Sequence, residues 1–585
     1  MSESFRFSPR PNRAAEVRWR AWGAAALEEA AASDRSVFLH LTAVWCQWCH
    51  RMDENAFSDP EVIRLLNDEF VPIRVDADRM PHVQDRYIAG GWPTNAFLTP
   101  TGAVLWAGTY VEADALRTIA RGVLEAWRGR RDELEAEIDR RTKALEAARS
   151  RQNAAGRVRH EAADTVLATL QDAFDARNGG FGNAPKFPSA EAIELLFARG
   201  VVDGNPDWLL MAERTLDGIL AGTLHDEVEG GFFRYALEAD WTSPRHEKLL
   251  EVNAALLSAF ALGAHVSGRE DWRAVAERVV NWAEGALRRP DGLWGGSQDA
   301  DEEYYHLDED GRRARPHPAV DLTLYADANA AWIRALADAG ARLGRADWVA
   351  RAERALEALL QRMVAPSGLV FHYAEPDSEP RLEGLLNDSL EVGRACLAVA
   401  QATGREDFVR QAARLADAMQ DALWESGGGF IDHVPGPDDV GALRYRDRPF
   451  DRNAAAARLF LDLADVTGQR GYRAIAERIL ALLSPKAGRY GIAAAEFALA
   501  VEEFFDPPVR IAVVGDPEEA APLRAAALSL PLPARRVWTL PEGGHLGAHV
   551  IDADDRPAAF VCGAKTCSPP IRDAAALGDA VLAVR

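Results

Sequence analysis

Two hydrophobic periodicities divide the chain. Near the start, Ser36–Leu41 and Phe70–Asp76 are short apolar runs that read as buried strands, while residues 49–70 place Met52, Phe57, Val62, Leu65 and Leu66 at helical spacing. A polar stretch follows, then Gly90-Gly91-Trp92-Pro93-Thr94 leads into the apolar Asn95–Leu98. This alternation predicts a mixed α/β domain over residues 1–150.

Between residues 200 and 480 the pattern is helical and repeats itself. Five copies of a tight turn place Gly four residues before an aromatic and an Ala-x-Arg four residues beyond it: Gly204…Trp208…Arg214, Gly268…Trp272…Arg278, Gly344…Trp348…Arg354, Gly404…Phe408…Arg414 and Gly468…Tyr472…Arg478. Each Gly reads as the stop of one helix, and the aromatic opens the next. Six longer loops, with Gly beside an aromatic as in Gly179-Gly180-Phe181 and Gly230-Gly231-Phe232, alternate with them. The count predicts twelve helices in six hairpins, from near His160 to near Phe505. Helices after the tight turns carry Glu and Arg on one face, as over residues 272–289, and are expected outside. Those after the long loops, such as 249–265 and 324–336, are Ala- and Leu-rich on most faces and are expected inside. The expectation is an (α/α)6 toroid over residues 151–505. An open solenoid of tetratricopeptide type fits less well, because its period is about 34 residues and its loops do not alternate in length. From Val509 a strand, then a helix from Pro517 to Ser529, predict a small α/β segment over 506–585. The fold class is therefore multidomain: an α/β domain, an all-α toroid and a small α/β tail.

Composition narrows the partners. The 585 residues hold 67 Lys and Arg against 90 Asp and Glu, a formal charge of −23. That balance argues against nucleic acid or an anionic membrane and favours neutral or cationic ligands. The opening Met1-Ser2-Glu3-Ser4 lacks the pattern of a secretory signal, no continuous apolar run reaches 18 residues, and only five cysteines occur, so a reducing cytoplasmic setting is expected.

Two of those cysteines, in Trp45-Cys46-Gln47-Trp48-Cys49, fall at a strand-to-helix turn. There a thiol meets the positive end of the helix dipole, so Cys46 is expected to be the nucleophile and Cys49 to resolve its mixed disulfide. The competing reading is half a zinc site, which Cys562 and Cys567 could complete only across some 500 residues. No metal and no cofactor are expected.

Trp45-Cys46-Gln47-Trp48-Cys49, with a Pro-Thr entering a later strand, resembles a thioredoxin fold whose cis-proline is Pro93. The resemblance implies that Trp48, Trp92, Pro93 and Thr94 receive the substrate. More narrowly, Trp19…Trp22-Gly23, Cys46–His50, Phe70–Asp76, Gly90–Pro93 and Phe97–Pro100 resemble the spermatogenesis-associated thioredoxin-like family, whose second part resembles six-hairpin glycosidases and the acylglucosamine epimerase group. Gln47 stands where that family usually has His, Arg245-His246 for His-Phe, and Val252 for Asp.

In a toroid the long loops converge with the inner N-termini at one mouth. Polar and aromatic residues there are Lys186, Trp241, His246, Glu247, Lys248, Asn253, Asp299, Asp301, Tyr304, Tyr305, Asp327, Asn329, Asp388 and Asn453. Rings beside carboxylates suit a sugar, the rings stacking on C–H faces and the carboxylates acting as acid and base. Glu247, Asp299 and Asp301 are the expected catalytic acids, since their segments are similar to the family's characteristic toroid motifs. Lys186, Trp241, His246, Lys248, Asn253, Tyr304 and Asp388 are the expected contacts. A hydrolase would bring two of Glu247, Asp299, Asp301 and Asp388 face to face. An epimerase would need His246 as base, and the sequence offers no evident second histidine. Helix caps and packing turns are the structural alternative for all of these.

Three functional readings follow. The first is a thiol–disulfide protein with a substrate-binding toroid, its partners a small saccharide or polyol and a thiol or disulfide protein. The second is a sugar hydrolase or epimerase with a thioredoxin scaffold, and the third a non-enzymatic interaction protein.

Overall fold

The computed structural model describes residues 5–152, 156–516, 518–547, 549–554, 556–563 and 566–584. Met1–Ser4 and Pro517, which figure in the sequence reading, lie outside them.

The first domain is built on a four-stranded mixed sheet ordered β2-β1-β3-β4, from β1 (Ser36–Thr42), β2 (Phe70–Asp76), β3 (Thr94–Leu98) and β4 (Val104–Gly108). β1 runs parallel to β2 and antiparallel to β3. Alternate residues feed two cores: Phe38, Phe70 and Phe97 pack with Met52, Phe57, Leu66 and Leu116, whereas Val37, Leu39 and Leu41 pack with Leu27 and Tyr87. The helical run after the cysteines is not continuous. It divides into α1 (Gln47–Glu54), a short turn, and a helix at Pro60–Glu69, because Asp59 caps the latter through Val62 N at 2.9 Å with Pro60 in its first turn. A buried ion pair, Arg74 to Asp53 at 2.8 Å, fixes α1 on β2.

Twelve helices then form the toroid. The inner six are α2 (Ala190–Asp203), α3 (Leu250–Ser267), α4 (Ala326–Leu343), α5 (Leu386–Thr403), α6 (Phe450–Thr467) and α7 (Ala495–Phe505). Each packs on the next, and α7 returns to α2, so the ring closes. The first outer helix, Glu161–Ala173, completes it by packing on α7. All five tight turns contain a left-handed Gly, with φ between 62° and 82° at Gly204, Gly268, Gly344, Gly404 and Gly468. Each Gly N–H returns to the carbonyl four residues earlier, ending an inner helix where a Cβ would be disfavoured. α3 is long and apolar enough to cross a membrane by length and composition, but most of it is buried in the ring wall.

The tail forms a three-stranded sheet ordered β6-β5-β7 from β5 (Val509–Val514), β6 (Arg535–Leu540) and β7 (Ala558–Cys562). Its helix is Ala521–Leu528, shorter than the sequence suggested. The sheet's period of two divides its loyalties. Ala512, Val514, Trp538 and Phe560 join the toroid core, while Ile511, Val513, Val537 and Val561 pack within the tail. Cys562 and Cys567 are joined as a disulfide, with Cα atoms 4.0 Å apart.

Candidate functional site

Cys46 is the N-cap of α1, its Sγ accepting from Cys49 N at 3.2 Å, and the two cysteines are bonded with Cα atoms 5.2 Å apart. The Trp92–Pro93 peptide is cis, as the thioredoxin likeness implied. Thr94 is buried and shapes this loop, donating to Gly91 O at 2.7 Å and accepting from Ala89 N at 3.0 Å. Trp48 is exposed with its ring edge on Tyr110, whereas Trp45 meets the Trp92 ring at 5.4 Å.

The pair does not face open solvent. Cys46 is 5% exposed and Cys49 0%, and both share an apolar cluster with Leu249, which precedes α3, and with Val252 on that helix. The first domain therefore lies on the toroid mouth, with the disulfide on the covered side. The Arg234 guanidinium wedges beside it, 4.7 Å from the Trp45 ring and 5.2 Å from the Trp92 ring. Further contacts reach the long loops at Asp321, His372 and Asp432, from Arg6 at 2.8 Å, the Asp78 carbonyl at 2.6 Å and Arg86 at 2.9 Å. Among the described residues, no hydrogen bond or ion pair joins the first domain to loops 174–189 and 484–494. At that side stand two stacked aromatic pairs, Phe187 on Tyr235 at 4.5 Å and Tyr490 on Phe450 at 3.9 Å, with Phe187 and Tyr490 exposed.

The expected carboxylates have different partners, with Asp299 close enough to Glu247 and Asp301 to feel both charges. Glu247 is buried and holds Arg234 by a 2.5 Å ion pair, so it positions the cation over the two tryptophans. Asp299 and Asp301 line a cleft of about 280 Å³ with Gln47 and His50 of α1 and with Tyr304. His50 Nδ1 lies 3.5 Å from Asp299. Burial, reinforced by Glu247 and Asp301, pushes the Asp299 carboxyl up to about 7 despite its bond from Ala300 N. Asp301 caps the short helix Glu302–Tyr305 through Tyr304 N at 3.0 Å, and the Tyr304 hydroxyl donates to Glu229 at 2.5 Å. Asp388 is buried against His372 at 2.9 Å. Burial alone would lower this imidazole, but the Asp388 carboxylate outweighs it and raises His372 to about 9, while burial lifts Asp388 to about 6.

His246 does have a histidine neighbour, contrary to the sequence reading: His306 lies 5.2 Å away, ring to ring. Burial and that neighbour bring His246 down to about 4, so it is neutral at pH 7.

Four expected contact residues build the mouth instead of facing it. Lys186 Nζ donates to Asp175 at 2.6 Å, Gly179 O at 2.8 Å and Ala239 O at 2.7 Å, which uses all its protons. Lys248 repeats the arrangement one hairpin later, on Asp226 at 2.6 Å and Gly230 O at 2.7 Å. Asn253 brackets Phe232, accepting from its N–H at 2.7 Å and donating to its carbonyl at 3.0 Å, and Asn329 and Asn453 do the same for Trp294 and Phe430. Trp241 is fully buried over Lys186, its centroid 5.3 Å from Nζ.

Sequence reasoning missed Glu251 and His372. Glu251 stands in the first turn of α3, where burial, with Asp327 nearby, raises it to about 7. Its signal was the repeat: it stands two residues before the bracketing Asn253, as Asp327 and Asp451 stand before Asn329 and Asn453. His372 carries no such signal. The ligand atoms of Asp327, His372 and Asp388 lie within 4.8 Å of one another. Both His372 nitrogens are engaged, with Asp388 and the Asp78 carbonyl, so none is left for a metal.

Residues 10–146 match the family model described as "Protein of unknown function, DUF255". The chain is similar to Spermatogenesis-associated protein 20 of Homo sapiens, 25% identical over 95% of this chain and 88% of that protein. It is 31% identical to an uncharacterised protein of Caenorhabditis elegans over 42% of this chain and 36% of that one. Among solved structures, cellobiose 2-epimerase from Spirochaeta thermophila DSM 6192 superposes with TM-score 0.48 at 18% identity, covering 62% of this chain and 98% of that one. D-mannose isomerase gives 0.48 at 13% identity, over 59% and 96%. By its motifs, by the match of its first domain and by a likeness running through nearly its whole length, the chain is similar to the spermatogenesis-associated thioredoxin-domain proteins.

Proposed function

We propose that the protein is a thiol–disulfide oxidoreductase acting on a small, polyhydroxylated, neutral or cationic disulfide admitted through the toroid mouth. The observation that carries this reading is the enclosure of Cys46 and Cys49 against Leu249 and Val252. A folded protein substrate would have to displace the toroid, whereas a small molecule enters at the side rimmed by Phe187, Tyr235, Phe450 and Tyr490. Those rings suit the C–H faces of a sugar or polyol, and Glu251 and Asp327 behind them suit hydroxyl or ammonium donors.

In the reduced protein the Cys46 thiolate attacks one substrate sulfur, forming a mixed disulfide and releasing one thiol. Cys49 then attacks Cys46, releases the second thiol and leaves the pair oxidised. An external dithiol restores it by the same exchange. α1 stabilises the thiolate through its N-terminus. The setting we propose is a reducing cytoplasm.

The test has two arms. Pre-reduced protein is mixed with the disulfide of 1-thioglucose and, separately, with insulin, and free thiol is followed in a single turnover. The sugar disulfide should be reduced and insulin left intact; reduction of insulin alone would overturn the proposal. In the second arm, saccharides are screened by thermal shift with wild type and Glu251→Gln, since a ligand at 100 times its Kd stabilises by about 2.7 kcal/mol.

A further inference from the structure

The hollow of the ring continues from the mouth to its opposite end as a cavity of about 200 Å³, running from Glu191 and Glu496 in the first turns of α2 and α7 to Arg342 at the end of α4 and Arg535 on β6. Most of its charges are matched. Arg394 meets Glu391 at 2.8 Å and Glu496 at 2.9 Å; Arg458 meets Glu194 at 2.7 Å, Glu496 at 2.9 Å and Glu503 at 2.8 Å; Arg536 meets Glu503 at 2.9 Å and also Asp462.

Arg342 and Arg535 are not matched. Both donate to the same carbonyl, Leu532 O, at 3.2 Å each, which holds two guanidinium groups side by side. Arg342 also donates to Pro533 O at 3.0 Å, and Arg535 Nη1 lies 3.3 Å from His265 Nε2. Among the described residues neither has a carboxylate within ion-pair distance; Asp338 acts on both only at longer range, and Glu194 on Arg342. The Arg535 Nε is buried with no partner. Carbonyls satisfy hydrogens but leave two adjacent positive charges, an arrangement that costs free energy unless a counter-charge joins it. Burial accordingly holds both guanidinium groups below their usual range, and the neighbouring Arg342 lowers Arg535 further. Gln401 adds to the same wall: its Oε1 accepts from Val537 N at 3.1 Å, which turns its amide N–H groups to the other side.

We infer that this end of the toroid is a binding site for a small oxyanion, a phosphate group held between Arg342 and Arg535. The cavity is smaller than the roughly 300–1,000 Å³ of sites for drug-sized ligands, which restricts it to a compact ligand. Although the whole chain is acidic, the local field at this point is positive, and a phosphate accepts several guanidinium N–H groups at once. The site stands at the far end of the ring from Cys46 and does not rest on the thiol reading.

The experiment titrates the full chain with inorganic phosphate, at ionic strength held constant with sodium chloride, and reads the melting temperature and the ³¹P linewidth of the phosphate. A saturable rise in melting temperature with ³¹P broadening is expected. Arg535→Gln should weaken phosphate at least tenfold, and Arg535→Lys should retain most of it. A parallel titration with glucose 6-phosphate against glucose distinguishes a phosphate carried on a sugar, which should bind more tightly than inorganic phosphate, from the free ion. Equal effects of phosphate and chloride, or an unchanged affinity in Arg535→Gln, would overturn the proposal. Should Arg535→Gln fail to fold, absence of ³¹P broadening with wild type overturns it equally.

Discussion

The two ends of the toroid are each covered by an α/β unit, and they are covered by different physics. At the floor, Trp538, Leu540, Leu546 and Phe560 of the tail are continuous with the ring's own hydrophobic core, and the buried ion pairs of Arg536 with Glu503 and Asp462 and of Arg510 with Asp465 reinforce it. At the mouth the first domain is held by the ion pairs of Arg6 with Asp321, Arg86 with Asp432 and Arg452 with Asp85, while Leu249, Val252, Val440, Ala442 and Leu443 of the toroid enter its apolar clusters. Salt does not weaken apolar burial, whereas ion pairs weaken, the exposed ones most, as the Debye length falls from about 10 Å at 0.1 M to about 3 Å at 1 M. Polar interfaces within a chain are also the ones across which domains move. The floor is thus expected to be the firmer closure, and the mouth the one more sensitive to salt.

The sharpest contrast is chemical. Cys46→Ser should abolish reduction of the small disulfide, while Cys562→Ser, at the floor, should leave the single-turnover rate unchanged. Equal loss in both would merge the two ends into one redox system. Next, Trp538→Ala should cost about 3–5 kcal/mol, read as a lower urea midpoint at unchanged slope, because it empties a fully packed site at the floor. A cost near zero would mean that the tail is dispensable.

A smaller effect should follow pH at the mouth alone. His372 joins Asp388 to the Asp78 carbonyl, and its folded pKa of about 9 exceeds the unfolded value of about 6.5. Its contribution is therefore complete below about pH 6.5 and is lost as pH rises through about 9. The difference in stability between wild type and His372→Gln should shrink across that window, and a constant difference would remove His372 from the closure. Smallest of all, Asp85→Asn should cost only about 0.2–1 kcal/mol, since its partner Arg452 is partly exposed. In the reduced protein, alkylation of Cys46 should quicken in 1 M salt, and Asp85→Asn should quicken it at low salt. Salt-independent alkylation would contradict a mouth held by ion pairs.

The architecture was legible because its signals are local. Gly268 and Gly344 mark helix ends by a backbone conformation that belongs to the residue itself, and the strands over 36–42 and 70–76 announce their burial by continuous apolar runs. The site was legible only in part because pairing is long-range. Glu247 and Asp301 looked like catalytic acids until Arg234 and the Tyr304 N–H were brought to them. His372 meets the first domain across 294 positions, a separation that no spacing rule encodes. Lys186 and Lys248 could have been read better: each follows a Gly-Gly-Phe turn, and recurrence in successive hairpins points to scaffolding more than to a unique ligand.

Ring closure also governs how the chain is made. His160 meets Glu502 across 342 positions, and the helix at Glu161–Ala173 buries Val166, Leu167 and Leu170 only after α7 exists. At about 5–20 residues per second on the ribosome, that helix waits roughly 17–70 s with its apolar stripe unpartnered. An open repeat array would have given it a neighbour within one hairpin, and could lose or gain a hairpin while keeping every remaining interface. Here the deletion of any hairpin turns a ring into an arc with two raw edges. The newborn chain accordingly carries that exposed stripe through most of its synthesis and buries it in a single late step.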